Sequence, residues 1–209
     1  SGTLSGLSAG VAVTLQNNTE DDLLLSFNGS FTFSAALNGG ETYAVTVLTQ
    51  PPHQTCTVSN GEGTITSDVA NVEVACVDNT YSVSGLLSGL AEGESVTLQN
   101  NLGDDITLEN DGEFTFNAPL ANGTNYSITV TSQPNSQTCT VSGGSGMISA
   151  DVTNIQVSCT TNTYTIGGVL SGLSDSQSVI LQNNGGDDLT LTSNGNFTFA
   201  IPVPHGQTY

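Results

Sequence analysis

Apolar and polar residues alternate in short runs along this 209-residue chain, and clusters of Gly, Asn, Asp and Pro separate the runs. Between 81 and 163 the first run is YSVSGLLSGL. ESVTLQNN then puts Val96 and Leu98 on one face, DDITLEN does so with Ile106 and Leu108, and EFTFNAPL with Phe114 and Phe116. NYSITV follows with Tyr126, Ile128 and Val130, TCTV with Cys139 and Val141, and NIQVSC with Ile155, Val157 and Cys159. A period of two is that of a half-buried strand, and no stretch sustains the helical period. Seven short strands at a spacing of roughly ten residues predict an all-β, immunoglobulin-like sandwich. Asn28-Gly29, Asp111-Gly112 and Asn194-Gly195 each stand between two alternating runs. They predict tight hairpin turns, because these residues accept the positive φ such turns require. Pro119 and Pro202 are expected to end the Phe-x-Phe strand or mark an edge.

The pattern repeats. LSGL stands at 4–7, 87–90 and 170–173, and LQNNTEDDLLL at 15–25 returns as LQNNLGDDITL at 98–108 and LQNNGGDDLTL at 181–191. Cys56 and Cys139 lie 83 positions apart, as do Cys76 and Cys159, and Tyr43, Tyr126 and Tyr209 keep the same step without insertion. A fixed period of this kind is the mark of a repeat architecture. The prediction is therefore tandem seven-stranded sandwich repeats of 83 residues: 1–80, which lacks a Tyr-x-Val opening, 81–163, which is complete, and 164–209, which is partial. Ragged ends of this kind are expected of a piece of a longer array.

Cys139 is in phase with Val141, and Cys159 with Val157 and Ile155, so each cysteine faces the core side of its strand. The start of one strand lies opposite the end of its antiparallel neighbour, which predicts bridges Cys56–Cys76 and Cys139–Cys159. Each would contribute on the order of 3 kcal/mol and imply an oxidising compartment. Four buried free thiols are the alternative. Zinc is disfavoured, because each copy supplies two cysteines and no recurring histidine. His53 and His205 occupy non-equivalent positions and are expected to be incidental surface or loop residues.

The aspartate pairs Asp21-Asp22, Asp104-Asp105 and Asp187-Asp188 follow a Val-x-Leu-Gln-Asn-Asn-type strand and precede the next apolar run. Turn chemistry explains Asn, Gly and Asp at such a place. Calcium, which takes six to eight oxygens, is the competing reading, and the six aspartates are its candidate ligands. No cofactor is otherwise called for. Adjacent strand residues point to opposite faces, so the paired carboxylates do not form an acid–base couple, and a non-enzymatic protein is expected. Sequons at Asn17, Asn28, Asn122, Asn125 and Asn196 leave glycosylation open.

Composition narrows the partners. Nineteen acidic residues and no Lys or Arg give a formal net charge of −19, so neither phosphate backbones nor an anionic membrane surface finds a counter-charge. No apolar run approaches the roughly 18 residues of a membrane helix, so no membrane insertion is expected in this segment. Trypsin finds no site.

Gly-x-Leu-Ser-Gly-Leu, then Val-x-Leu, Asn/Asp-Gly-x-Phe-x-Phe and a Tyr-x-Val/Ile-Thr-Val strand together resemble bacterial surface repeats of the immunoglobulin-like or prealbumin-like kind. These include the collagen-adhesin B-type and carboxypeptidase-regulatory-like modules. The resemblance covers the first five strands of each copy. It implies an extracellular or cell-surface stalk, spacer or filament whose partners are neighbouring copies of the same protein. An adhesin recognising a glycan or surface-protein ligand is the alternative. Many such modules carry a Lys–Asn or Lys–Asp isopeptide crosslink; this chain has no lysine, and the disulfide is expected to take that place.

Overall fold

The computed structural model describes residues 1–209, all in strands, turns and loops, with no helix. The first stretch contains β1 (Gly2–Ser5), β2 (Val13–Asn17), β3 (Asp21–Leu25), β4 (Gly29–Phe31), β5 (Thr42–Thr49), β6 (Gln54–Ser59), β7 (Glu62–Thr64) and β8 (Val72–Asp78). There follow β9 (Thr80–Tyr81), β10 (Val83–Ser88), β11 (Val96–Asn100), β12 (Asp104–Leu108), β13 (Gly112–Thr115) and β14 (Leu120–Ala121). Next come β15 (Asn125–Ser132), β16 (Gln137–Ser142), β17 (Ser145–Met147) and β18 (Val152–Thr161). The last are β19 (Thr163–Tyr164), β20 (Gly167–Leu170), β21 (Val179–Asn183), β22 (Asp187–Leu191), β23 (Gly195–Thr198) and β24 (Val203–Pro204).

Two compact units emerge. The first joins Ser1–Tyr81 with Pro119–Thr124 and Met147–Asp151, and the second joins Ser82–Ala118, Asn125–Gly146 and Val152–Tyr209. In the first, the sheets run β4-β1-β8-β6 and β3-β2-β5-β7. β1 pairs antiparallel with β4 and parallel with β8, with Leu4 opposite Val74, and β6 pairs antiparallel with β8. Alternation buries Leu4, Val13, Leu15, Phe31, Val45, Val72 and Val74 between the sheets, while Thr3, Glu73 and Ala75 face outward. The first and second sheets of the second unit run β13-β10-β18-β16 and β12-β11-β15-β17 around Val83, Leu87, Val96, Leu98, Phe114, Ile128, Ile155 and Val157. Its remaining pairs are β20 with β23, β21 with β22, and β19 with β24.

Two expectations need correction. The sandwich of residues 81–163 has eight ladder-forming strands in its two sheets, not seven, because β17 adds an edge to β15; β7 does the same for β5. Both extra strands are three residues long and exposed throughout, so no apolar alternation announces them. Each carries a glycine under a tyrosine ring: a Cβ on Gly63 would meet Tyr43 at 2.9 Å, and one on Gly146 would meet Tyr126 at 2.8 Å.

The Asn/Asp-Gly positions are not hairpins. β3 belongs to one sheet and β4 to the other, as do β12 and β13, and β22 and β23 pair with different partners. The chain here crosses between sheets, and Gly29, Gly112 and Gly195 take φ of 133°, 142° and 142°, open only to glycine. The preceding side chain anchors the crossing. Asn28 Oδ1 accepts the Leu7 N–H and its Nδ2 donates to the Leu7 carbonyl, both at 2.8 Å. Asn194 does the same to Leu173, and Asp111 accepts the amides of Gly89 and Leu90.

Candidate functional site

Each residue of the Leu-Gln-Asn-Asn motif has its own task. Leu15 and Leu98 are 0% exposed and fill the core. Gln16, Gln99 and Gln182 point outward and donate to Asp22, Asp105 and Asp188 across the hairpin, each at 2.7 Å. Buried Asn17 and Asn100 accept the amides of Ala44 and Ser127. Asn18, Asn101 and Asn184 take φ of 50° in the turn, and each donates Nδ2 to a carbonyl 24 residues on: Thr42, Asn125 and Thr208. The turn closes with the amides of Glu20, Gly103 and Gly186 donating to Asn17, Asn100 and Asn183. These are true hairpins, β2 to β3, β11 to β12 and β21 to β22.

The first aspartate of each pair turns the other way. Asp21 accepts the Ala35 amide at 2.8 Å and the Ser34 hydroxyl at 2.7 Å; Asp104 accepts the Ala118 amide and Asp187 the Ile201 amide, both at 2.9 Å. The Ala35 amide, followed by the Ser34 hydroxyl, holds the Asp21 carboxyl below its ordinary pKa. Asp21, Asp104 and Asp187 therefore cap a loop, while Asp22, Asp105 and Asp188 bind a cross-strand glutamine. The structure does not aim the two carboxylates of a pair at one point, and nowhere do three or more His, Cys, Asp or Glu side chains cluster as a metal cage would require.

The cysteines meet as the register predicts. Cys56 stands directly opposite Cys76 and Cys139 opposite Cys159, with Cα atoms 3.9 Å apart, and both pairs are disulfide-bonded. Glutamines, which the apolar pattern does not reveal, support them. β6 and β16 are edge strands, and on their outer side Gln50 and Gln133 clamp the cysteine backbone. Gln50 Oε1 accepts the Cys56 amide at 2.7 Å and its Nε2 donates to the Cys56 carbonyl at 3.0 Å; Gln133 treats Cys139 likewise. Gln54 and Gln137, both buried, bridge to the loops after β1 and β10: they accept the amides of Ser8 and Ala91 and donate to the carbonyls of Gly6 and Gly89. The available signal was QPPHQTC and QPNSQTC, two glutamines at fixed distances before a cysteine in both copies.

A third constellation lies where the copies join. The Asn162 amide donates to the Ser136 carbonyl at 2.9 Å, its Oδ1 accepts the Thr138 hydroxyl at 2.7 Å, and its carbonyl accepts the His205 amide at 2.8 Å. Asn79 repeats the arrangement with the His53 carbonyl, the Thr55 hydroxyl and the Asn122 amide. Both histidines are exposed turn residues, as expected, and contribute main-chain groups to these joints. The His205 ring also lies against Tyr164, centroids 6.0 Å apart. Glu94 accepts the Asn135 amide and the Ser136 hydroxyl, each at 2.9 Å; those bonds, with a smaller contribution from His205, lower its pKa.

No family model and no curated protein matches the chain. Among solved structures, the Bacillus anthracis TIE protein is similar over 98% of this chain at 11% identity, with a TM-score of 0.54, and this chain spans 42% of that protein's length. The C-terminal fragment of the pilus adhesin SpaC from Lactobacillus rhamnosus GG aligns at 10% identity over 73% of this chain and 89% of its own, with a TM-score of 0.34. The major pilin protein T-13 of Streptococcus pyogenes aligns at 13% identity over 77% and 96%, with a TM-score of 0.31. The first likeness is one of fold, and the other two are too loose to bear on this chain.

Proposed function

We propose that the chain is part of a non-catalytic repeat array on the outside of a bacterial cell, serving as a stalk or filament. The observation that carries this reading is the joint at Asn162. One residue ties the end of one sandwich, through Ser136 and Thr138, to the next stretch, through His205, inside a single compact unit. A joint built this way suits a spacer, in which each element touches its neighbours along the chain. Disulfides in each of the first two copies suit an oxidising exterior. Electron microscopy of the native material, with and without a calcium chelator, tests the reading. Regular filaments or uniform rods are expected in both conditions; compact, unconnected particles would overturn the reading. Loss of the filaments in chelator would make the aspartate pairs cation sites after all.

One observation favours an adhesin as the second reading. Phe27 is 86% exposed, and Leu24 and Leu48 are exposed on the outer face of β3 and β5. The equivalent positions carry Asn110 and Ser193, Thr107 and Thr190, and Thr131. The first copy alone presents an apolar surface there, which a glycan or protein ligand could cover. A glycan-array screen that reports a ligand, with the signal lost in Phe27→Asn, would move the assignment to this class.

A further inference from the structure

The outer faces of the sheets β3-β2-β5-β7 and β12-β11-β15-β17 differ in one place. In the second copy three threonines share it. Thr97 lies opposite Thr107, and Thr131 is the extra residue at the bulge beside Thr97. Hydrogen bonds join them, Thr97 Oγ1 to Thr107 Oγ1 at 3.0 Å and the Thr131 hydroxyl to the Thr97 carbonyl at 3.3 Å. In the first copy Leu24 lies opposite Thr14, and Leu48 is the bulge residue. Leu24 is 65% exposed, Leu48 50%, and Phe27, two residues beyond β3, 86%. Thr107 and Thr131 are exposed as well, so both copies leave this face to water, and the first does so with large apolar side chains. The core gains nothing from them, since Leu23, Leu25 and Val47 are the residues that pack against it. Ser26 stands where the second copy has Glu109, so the patch carries no charge of its own. At its border is Asp22, on the same face two residues before Leu24, roughly 7 Å along the strand. Asp22 Oδ1 accepts Gln16 Nε2 at 2.7 Å, and the residue is exposed.

We propose that Leu24, Leu48 and Phe27 receive a basic segment of a different protein, in which large apolar side chains alternate with Lys or Arg along one face. The proposal deepens the adhesin reading, rests on it, and names the class of partner. Charge decides among the occupants. The 19 Asp and Glu residues have no Lys or Arg among them, so a second copy would bring carboxylates towards Asp22 under an overall repulsion. An acidic partner meets the same field. A cationic one is drawn in, and a lysine beside the apolar contact pairs with the Asp22 carboxylate. A neutral glycan needs hydrogen-bonding side chains in its site, and the second copy, with Thr97, Thr107 and Thr131, is the one that has them. Charge alone does not single out the first copy, since Asp105 and Asp188 repeat Asp22. The carboxylate and the apolar residues together do. An extended segment matches their spacing, because its same-face side chains also recur at roughly 7 Å.

The test is an NMR titration of the whole chain with the nonapeptide Lys-Thr-Leu-Thr-Lys-Thr-Leu-Thr-Lys, whose Lys and Leu residues share one face. The expected result is a saturable response at the amides of Leu24, Phe27 and Leu48, and a much smaller one at Thr107 and Thr131. Replacing both leucines by threonine, at unchanged charge, should weaken binding about tenfold or more, because two apolar side chains lose their contact. Replacing the lysines by glutamate should abolish it, and the Kd of the parent peptide should rise severalfold from low to high salt. In the protein, Leu24→Thr with Phe27→Asn and Leu48→Thr installs the residues of the second copy. That variant should lose the response and keep its circular dichroism spectrum. Equal binding of the threonine peptide, an equal response in the second copy, or none at about 1 mM peptide overturns the proposal. So does a concentration-dependent dimer in sedimentation that Phe27→Asn abolishes, for the patch then holds another copy of this chain. A glycan-array ligand lost in Phe27→Asn, without peptide binding, sinks the basic partner and leaves the adhesin reading standing. Absence of peptide binding, glycan binding and dimer alike removes both.

Discussion

Leu102 shows what a single position in a repeated turn has to accept. It takes a φ of 63°, as Thr19 does in the first copy, while the third copy has Gly185 there at 71°. A left-handed conformation costs a bulky or β-branched residue on the order of 1 kcal/mol, and Leu102 is 89% exposed, so it gains no packing in return. Leu102→Gly is therefore expected to raise the unfolding free energy by about 0.5–1 kcal/mol in urea titrations, although the substitution deletes a hydrophobic side chain. Asp21 offers a second test at this scale. Its pKa is lowered by the Ala35 amide and the Ser34 hydroxyl, so its contribution is complete above the ordinary carboxylate pKa and fades as pH falls through the lowered one. Asp21→Asn should then melt below the parent protein at pH 7, and the gap in Tm should narrow steadily towards pH 2–3. A gap that widens in acid would mean that the carboxylate is not the acceptor described.

At the scale of the element, the sequence was legible wherever a strand had a buried face. Val96, Leu98, Ile155 and Val157 alternate because water is on one side of them, and the same phase brings Cys139 against Cys159. Legibility failed in two places for physical reasons. β17 has no buried face, since Ser145, Gly146 and Met147 are all exposed, and its position depends on main-chain bonding and the Tyr126 ring. The Asp111-Gly112 crossing looks like a hairpin because both structures need the same glycine backbone; the difference lies in Asp111, whose partners Gly89 and Leu90 are more than 20 residues away. The aspartate pairs were visible as a hairpin motif, but not the separate partners that divide each pair. The edge strand β16 carries the prediction for this scale. Cys139→Ala with Cys159→Ala should lower the unfolding free energy by about 3 kcal/mol for a closed loop of this length. Gln133→Ala, which leaves the disulfide intact, should cost about 1 kcal/mol by freeing the Cys139 amide and carbonyl. It should also speed exchange of that amide, whereas an unchanged exchange rate would deny the clamp its role.

For the whole molecule, the parallel pairing of β1 with β8, and of β10 with β18, concerns how the chain would carry a load. The opening strand of each sandwich lies beside its closing strand and runs in the same direction. Tension applied through the neighbouring segments therefore draws the two strands past each other along their length. The hydrogen bonds between them, spaced evenly as in any parallel ladder, must then give way together instead of opening in succession from one end. The closing strand is also bonded covalently to its other neighbour, Cys76 to Cys56 and Cys159 to Cys139, so a fastener lies beside the interface under shear. A chain that resists stretching in this way fails late and abruptly under force.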